Sequence, residues 1–210
     1  MTKIETNTNR PLWRWSELTQ GLSSRGQLSQ ESPDSRHQGP DVSGVVVDSR
    51  TVQPGQLFVA LPGDPGARFN PSYRSTVDGH SFVAQAAAAG AAGALVDQSS
   101  SALGVGEDFP LLQVHDTYDG LWALGHMGRE RLEGKAVAIT GSSGKTTVKN
   151  MVAAVLSTQG ETLATEGNFN NEVGVPLTLL RLHPAVAFAV VEMGAAKAGD
   201  ISWLCELGRP

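Results

Sequence analysis

The amino-acid sequence predicts an α/β protein built from two units, residues 1–133 and residues 134–210. Apolar segments of strand length alternate with segments in which Leu, Met or Ala recur at helical spacing, which is the pattern of an α/β fold. In the second unit a glycine-rich loop separates an apolar strand from an amphipathic helix, as in doubly wound parallel sheets. Hydrophobic residues make up 40% and charged residues 18% of the chain, a composition that excludes a disordered protein.

The first unit is predicted to alternate strands and helices. Turn signals at residues 54–55 and 62–63 delimit two apolar runs, which form either a hairpin-like pair or two adjacent strands. A run rich in alanine, the best helix former, follows them. The predicted elements are a helix over 13–22, a surface loop over 23–40, strands over 42–47 and 57–61, an alanine-rich helix within 81–93, strands over 93–96 and 111–114, and a helix over 118–131.

The second unit is predicted to form a parallel sheet. It is shorter than a complete nucleotide-binding sheet, so an incomplete sheet is expected. Its helix over 146–158 has one apolar face, formed by Val148, Met151, Val152, Val155 and Leu156. The predicted elements are a strand over 136–140, the glycine loop over 141–144, the helix over 146–158, strands over 162–165 and 187–193, and a helix over 175–182.

Net charge, cysteine content and the lack of long apolar stretches exclude several kinds of partner and site. The 16 basic and 21 acidic residues give a net charge of −5, and no basic run is present, so nucleic acid is not an expected partner. The single Cys205 excludes an intramolecular disulfide, a cysteine-based zinc site and a CxxC motif. The longest uncharged stretch, 81–96, is too short for a membrane span, and the polar N-terminus does not resemble a signal peptide. We therefore expect a cytoplasmic protein.

A phosphate-binding loop is the sharpest functional signal. Glycines in the run TGSSGKTT let backbone N–H groups turn toward phosphate oxygens, and the following helix adds the positive end of its dipole. Lys145 is expected to reach the β- and γ-phosphates of ATP, and the Thr146 hydroxyl to bind Mg²⁺. Ile139 stands where the full motif requires glycine, so a glycine turn with a surface lysine is the alternative. The predicted nucleotide-binding residues are Gly141, Ser142, Ser143, Gly144, Lys145, Thr146 and Thr147.

Glu192 is the candidate metal-binding carboxylate. It follows the apolar run 186–191, which places it at the carboxyl end of a predicted strand, where open parallel sheets bind ligands. Mg²⁺ held by one hydroxyl and by phosphates needs a carboxylate to balance its charge. A salt-bridged or exposed acid at the end of the strand is the alternative. Lys145 and Glu192 are the predicted catalytic residues, and Thr146 and Glu192 the predicted metal ligands.

Several runs of sequence resemble the Mur ligase family of cytoplasmic peptidoglycan-synthesis enzymes. TGSSGKTTVKNM, GNFNNEVGVPLTLLRL and AVVEMGA are similar to the central ATP-binding domain of that family. VVVDSRTVQPGQLFVALPG and DGHSFVAQAAAAGAAGALV are similar to its N-terminal domain, which binds a uridine nucleotide. The resemblance covers residues 13–210. It implies a UDP-substrate-binding domain over 1–133 and part of the central ATP-binding domain over 134–210.

The resemblance also implies roles for polar residues outside the phosphate loop. Asp48, Ser49 and Arg50 match a family motif near the uridine diphosphate, and an arginine suits a diphosphate chemically. A turn capped by Asp48 with a solvated Arg50 is the alternative. The GNFNN run contains three asparagines, Asn168, Asn170 and Asn171. They are predicted to contact phosphate or substrate, and the alternative is that they serve only as turn residues.

Within the family, the SSGKT form and the GNxNNxxGxP stretch favour the ligase that adds D-Ala-D-Ala to UDP-MurNAc-tripeptide. The implied reaction consumes ATP with Mg²⁺ and releases ADP: the terminal carboxylate becomes an acyl phosphate, which the amine of D-Ala-D-Ala attacks. Such an enzyme works mainly by positioning and charge neutralisation. Family members are expected to be monomers and are more than twice as long, so the sequence predicts a truncated form that is inactive alone.

Three other interpretations stay open at the level of the sequence. The chain could be a UDP-MurNAc-tripeptide synthetase of the same family, a non-catalytic uridine-nucleotide-binding fragment, or a small P-loop NTPase. Binding of UDP-MurNAc-tripeptide without binding of ATP would favour the fragment. Hydrolysis of ATP without any peptide substrate would favour the NTPase.

Overall fold

The computed structural model describes residues 11–29, 38–66 and 76–210, and part of the predicted loop over 23–40 lies outside these residues. The predicted α/β class is confirmed, and so is the parallel sheet predicted for the second unit. The strands are β1 (Gly44–Val46), β2 (Gln56–Val59), β3 (Gly93–Val96), β4 (Leu111–Gln113), β5 (Lys135–Ile139), β6 (Thr162–Ala164) and β7 (Phe188–Glu192). The α-helices are α1 (Trp15–Ser24), α2 (Val83–Ala88), α3 (Ser100–Leu103), α4 (Thr117–Glu130), α5 (Lys145–Leu156), α6 (Gly174–Leu179) and α7 (Asp200–Gly208), and 3₁₀ helices cover Ser49–Thr51 and Gly79–Phe82.

The first sheet has the strand order β1-β2-β3-β4, and each neighbouring pair is parallel. β1 and β2 are therefore adjacent strands and not a hairpin, since a parallel pair requires a crossover connection. Leu57 and Val59 of β2 belong to the core formed with α1 and α4, whereas Phe58 and Ala60 belong to the core formed with α2 and α3. Because successive side chains of a strand point to opposite faces, both faces of this sheet are buried.

The second sheet has the strand order β5-β7-β6, again with parallel neighbours. β7 is the central strand and is almost wholly buried, and its core is completed by α6 and α7. β5 is only half-buried. Ile139 at the end of β5 pairs with Glu192 at the end of β7. This register places Glu192 beside the loop that follows β5.

Helix α4 packs against both sheets. Leu121 and Leu124 of this helix belong to the core of the first sheet, and Trp122 to the core of the second. α4 also crosses α6 so closely that a Cβ on Gly128 would lie 2.3 Å from the carbonyl oxygen of Leu179. Only glycine permits this approach of the two helices. The two halves of the chain therefore pack against each other, and the division between residues 133 and 134 stays a prediction.

Helices α3 and α7 are present in the structure but are not among the elements predicted from the sequence. α3 has four residues, which is too few for a periodic pattern. α7 does carry a detectable signal, because Asp200 stands in its first turn, where a carboxylate is favourable, and Leu204 and Leu207 are spaced for one buried face. The other predicted elements are present, with ends shifted by a few residues.

The predicted apolar face of α5 is only partly buried. Val152 and Leu156 are half-buried on the side of the helix that faces the sheet. Val148, Met151 and Val155 are 45%, 65% and 66% exposed. The helical spacing was predicted correctly, but the expectation that such a face packs against a core fails for these three side chains.

Replacing Met151 with glutamine should therefore change the free energy of unfolding by less than about 0.5 kcal/mol, because its side chain already contacts water. The matched control is Met127→Gln in α4, where the methionine is 8% exposed and lies in the core. Burial of an unpaired amide there should cost about 2 kcal/mol or more. Urea unfolding followed by circular dichroism measures both changes. An equal loss of unfolding free energy in the two variants would show that the side of α5 bearing Met151 is buried in solution.

Candidate nucleotide-binding site

The loop after β5 has a backbone that favours glycine at two positions. Gly141 has a φ of 146° and Gly144 a φ of 75°, values that a residue with a Cβ rarely adopts. Gly144 is the N-cap of α5, so the first N–H groups of that helix have no partner within the helix. Residues 141–144 are exposed. The loop therefore offers backbone donors and a helix dipole to an anion.

The side chains of the loop add a cation and hydroxyl groups on the exposed side. Lys145 reaches back across the loop, where its Nζ donates a hydrogen bond to the carbonyl oxygen of Gly141 at 2.8 Å. Ser142, Ser143 and Thr147 are exposed. A flexible ammonium group beside a glycine-rich loop at a helix N-terminus is an arrangement that suits phosphates.

Glu192 lies at the end of β7, next to this loop. Its residue is 1% exposed, and both carboxylate oxygens accept hydrogen bonds. Oε2 accepts from Thr146 Oγ1 at 3.0 Å, and Oε1 accepts from Asn170 Nδ2 at 2.7 Å. The structure thus brings the two predicted metal ligands, Thr146 and Glu192, into direct contact. The alternative of an exposed acid at the end of the strand does not hold.

Lys149 is a residue of this site that the sequence analysis missed. It is 3% exposed, and its Nζ lies 3.8 Å from Oε2 of Glu192. A signal was present, since Lys149 stands on the same side of α5 as Val152 and Leu156, and a lysine on the apolar side of a helix needs a buried partner. A salt-bridged acid is the alternative to metal binding that the sequence leaves open for Glu192. The contact with Lys149 is such an ion pair.

The oxygen atoms at the site fit Mg²⁺ bound together with phosphates. The Thr146 hydroxyl and the Glu192 carboxylate are hard oxygen ligands, which Mg²⁺ prefers. Within the described ranges, no group of three or more His, Cys, Asp or Glu side chains could hold a metal ion. Mg²⁺ typically uses one or two protein carboxylates and completes its octahedron with phosphate oxygens and water. The donor set therefore suits an ion that arrives with a nucleotide.

The asparagines of the loop between β6 and α6 have three different surroundings. Asn170 donates to Glu192, and its backbone oxygen accepts from the N–H of Gly194 at 2.7 Å. The side-chain oxygen of Asn171 accepts from the N–H groups of Val173 and Gly174, which fixes the start of α6. Asn168 is exposed. Only Asn170 joins the carboxylate site, and substrate contacts of Asn168 and Asn171 stay predictions.

Asp48, Ser49 and Arg50 form a capped turn after β1. The Asp48 carboxylate accepts from the backbone N–H of Arg50 at 3.0 Å and pairs with its guanidinium at 2.7 Å. The side-chain hydrogen bond from Arg50 lowers the pKa of Asp48 to about 2. Ser49 is buried, and its hydroxyl donates to Gln85 on α2 at 3.3 Å. The Arg50 side chain is 82% exposed, so its guanidinium stays accessible to an anion.

A second polar cluster lies at the same edge of the first sheet. His80 is buried, with Nδ1 2.7 Å from Asp78 and Nε2 3.1 Å from Asp97, which follows β3. Burial raises the pKa of Asp97, although the proximity of His80 opposes this. Burial also acts to raise the pKa of Asp78, but the hydrogen bonds with His80 outweigh it and lower that pKa. His80 is therefore a buried bridge between Asp78 and Asp97.

Comparison with known proteins supports the motif-based resemblance. Residues 139–210 match the Mur ligase middle domain. The chain is 46% identical over 175 residues to the UDP-N-acetylmuramoyl-tripeptide–D-alanyl-D-alanine ligase of Escherichia coli strain K12, covering 82% of this chain and 35% of that protein. It is 40% identical over 169 residues to the ligase of the same name from Bacillus subtilis strain 168, covering 80% and 34%. The chain thus spans about a third of the length of these curated relatives.

Solved structures show the same relationship. A UDP-N-acetylmuramoylalanyl-D-glutamyl-2,6-diaminopimelate–D-alanyl-D-alanyl ligase from Acinetobacter baumannii is 34% identical with a TM-score of 0.75, over 98% of this chain and 41% of that one. MurF ligase from Thermotoga maritima in complex with ADP is 31% identical with a TM-score of 0.60, over 84% and 36%. The predicted resemblance to the Mur ligases is confirmed, and it includes the match of residues 139–210 to the middle domain of these enzymes.

No helix in the described part of the chain is long and apolar enough to cross a membrane.

Proposed function

We propose that this chain binds ATP with Mg²⁺ at the glycine loop and contributes to the ADP-forming ligation of D-Ala-D-Ala to UDP-MurNAc-tripeptide. The observation that carries this proposal is the contact between Thr146 and Glu192 beside the loop that Lys145 spans. The relatives named as UDP-N-acetylmuramoyl-tripeptide–D-alanyl-D-alanine ligases support the choice of reaction, and the ADP complex of the MurF ligase from Thermotoga maritima supports the choice of nucleotide.

The chemistry assigns separate tasks to the residues of the loop. An amine does not attack a carboxylate until one carboxylate oxygen has become a good leaving group. Transfer of the γ-phosphoryl group from ATP to the peptide carboxylate forms an acyl phosphate and releases ADP, and the amine then forms the amide bond as phosphate and a proton leave. Lys145 and the loop N–H groups would hold the phosphates, while Thr146 and Glu192 would hold Mg²⁺, which supplies charge neutralisation.

The first sheet would bind the UDP-linked substrate. Asp48, Ser49 and Arg50 lie just after β1, on the carboxyl edge of a parallel sheet, where ligands typically bind. Asp48 orients the exposed guanidinium of Arg50 through two side-chain hydrogen bonds. An oriented guanidinium suits the bidentate recognition of a diphosphate.

Isothermal titration of the chain with ADP and Mg²⁺, and separately with UDP-MurNAc-tripeptide, tests the proposal. We expect both ligands to bind, each without displacing the other, because the two loops belong to different sheets. Replacing Arg50 with alanine should weaken only the UDP-linked ligand, by about tenfold for one lost charge-assisted contact. Arg25→Ala is the matched control, since Arg25 also forms a surface ion pair, with Glu130.

Each ligand class has an outcome that contradicts the proposal. Absence of ADP binding would remove the assignment of the glycine loop. Absence of UDP-MurNAc-tripeptide binding, with ADP binding intact, would favour a simple NTPase. A coupled assay of ADP release with UDP-MurNAc-tripeptide and D-Ala-D-Ala then tests whether the chain by itself completes the reaction.

A further inference from the structure

Lys149 is a buried cation that the proposed function does not use. Its Nζ donates hydrogen bonds to the carbonyl oxygens of Thr165 at 2.7 Å and Gly167 at 3.3 Å, and lies 3.8 Å from Glu192 Oε2. An ammonium group has three N–H donors and no acceptor; the two carbonyl oxygens take two of these donors, and the Glu192 carboxylate lies within ion-pair distance of the charge. Because the residue is 3% exposed, it is not a second phosphate-binding lysine like Lys145.

Lys149 and its neighbours together fix the position of the Glu192 carboxylate. Lys149 ties α5 to the end of β6, and the Thr165 hydroxyl in turn accepts a hydrogen bond from the backbone N–H of Glu192 at 3.0 Å. The Glu192 side chain is therefore held from three sides, by Lys149, Thr146 and Asn170. Such a network leaves the carboxylate a single orientation, toward the hydroxyl of Thr146.

The same contacts set the charge that an arriving cation meets. The negative charge of Glu192 is already offset by Lys149, and Lys145 and the N-terminus of α5 add further positive potential. A free divalent ion would therefore meet a site that is neutral or positive. Phosphate groups on the glycine loop would reverse that sign, because a nucleoside diphosphate or triphosphate carries several negative charges.

We propose that Lys149 is a positioning residue that fixes the Glu192 carboxylate against Thr146 and lowers its affinity for a free divalent ion, so that the ion binds tightly only together with nucleotide phosphates. This inference rests on the proposed nucleotide site. On this inference, the metal ion enters the site together with the nucleotide and does not bind before it, because Lys149 opposes binding of the bare ion.

Binding of Mn²⁺ alone, followed by electron paramagnetic resonance, tests the inference, since Mn²⁺ takes the same oxygen ligands as Mg²⁺. The unmodified chain should bind Mn²⁺ at least about tenfold more weakly without ADP than with it. Lys149→Met keeps the apolar stem and removes the charge, and should raise the affinity for Mn²⁺ alone by at least about tenfold. The gain should disappear when Glu192→Gln is added, because the effect acts through that carboxylate.

Two controls separate this role from a purely structural one. Lys135→Met removes an exposed lysine at the other end of β5 and should leave Mn²⁺ binding unchanged. Lys149→Gln keeps an N–H donor for the Thr165 carbonyl and should show the same gain as Lys149→Met. If Lys149 only tied α5 to β6, its variants would lose thermal stability without any gain in Mn²⁺ affinity, and the inference would be wrong.

The failures of the two proposals are distinguishable. If the unmodified chain binds no ADP, the nucleotide site itself is wrong. If it binds ADP but Lys149→Met gains no affinity for Mn²⁺, only the role of Lys149 is wrong. Should both Lys149 variants fail to fold, equal affinity of the unmodified chain for Mn²⁺ with and without ADP would still contradict the inference.

Discussion

Replacing Lys145 with alanine is expected to weaken the binding of ADP and Mg²⁺ by about a hundredfold or more. Each hydrogen bond between an ammonium group and a phosphate oxygen contributes about 1.5–3 kcal/mol, so the loss of one or two corresponds to a change of this size. Lys145 is the flexible cation that crosses the loop, and its bond to Gly141 in the structure shows that the ammonium group reaches the loop backbone. Isothermal titration with ADP measures the effect.

The matched control for this variant is Lys135→Ala. Lys135 is exposed at the start of β5, whereas Lys145 follows the loop at the end of that strand. Both variants lower the net charge by the same amount, so a general electrostatic effect would act on both. A similar loss of ADP affinity in the two variants, or no loss with Lys145→Ala, would contradict the role of the glycine loop in phosphate binding.

Replacing Trp13 with alanine is expected to lower the free energy of unfolding by about 3–5 kcal/mol. The indole is 2% exposed in the core between α1 and the first sheet. Its Nε1 donates a hydrogen bond to the carbonyl oxygen of Leu180 at 2.9 Å, and the guanidinium of Arg131 lies 3.2 Å above the ring centroid. The substitution therefore removes a core side chain and also a contact between the two halves of the chain.

Trp13→Phe separates these two contributions. Phenylalanine keeps most of the apolar area but removes the donor to Leu180, so about 1–2 kcal/mol should be lost. Urea unfolding followed by far-ultraviolet circular dichroism measures both variants. If the alanine variant were as stable as the phenylalanine variant, Trp13 would contribute little packing and the joint between the halves would depend on other contacts, such as the stacked pair Trp122 and Trp203.

Much of the candidate site could be predicted because its signals are local. The glycines at positions 141 and 144, the lysine and the threonine lie within one short run, and a strand before it and a helix after it are visible from the pattern of apolar residues. The structure contains that strand, loop and helix, with positive φ values at both glycines. The role of Asp48 and Arg50 depended instead on the family resemblance; the structure shows the capped turn that was its alternative, and substrate binding there stays a prediction.

The burial of side chains on α5 could be predicted only in part, because it depends on what packs against each side of the helix. The periodic pattern gives the same weight to Val152, which is half-buried, and to Met151, which is 65% exposed. Lys149 shows the reverse, because it is a polar residue that is buried. A lysine is expected at the surface, yet the carbonyl oxygens at the end of β6 and the Glu192 carboxylate make a buried ammonium group favourable at this position.

The sequence by itself determined the α/β class, the order of most elements and the position of the glycine loop, since each depends on residues within a few turns of one another. The tertiary structure decided which distant residues meet. Thr146 and Glu192 are 46 residues apart and touch because β7 lies between β5 and β6. Asn170, and not its neighbour Asn171, reaches that carboxylate, because the Asn171 side chain accepts hydrogen bonds from the backbone N–H groups of Val173 and Gly174. Strand order and helix packing arise from contacts across the whole chain, which no local pattern of residues specifies.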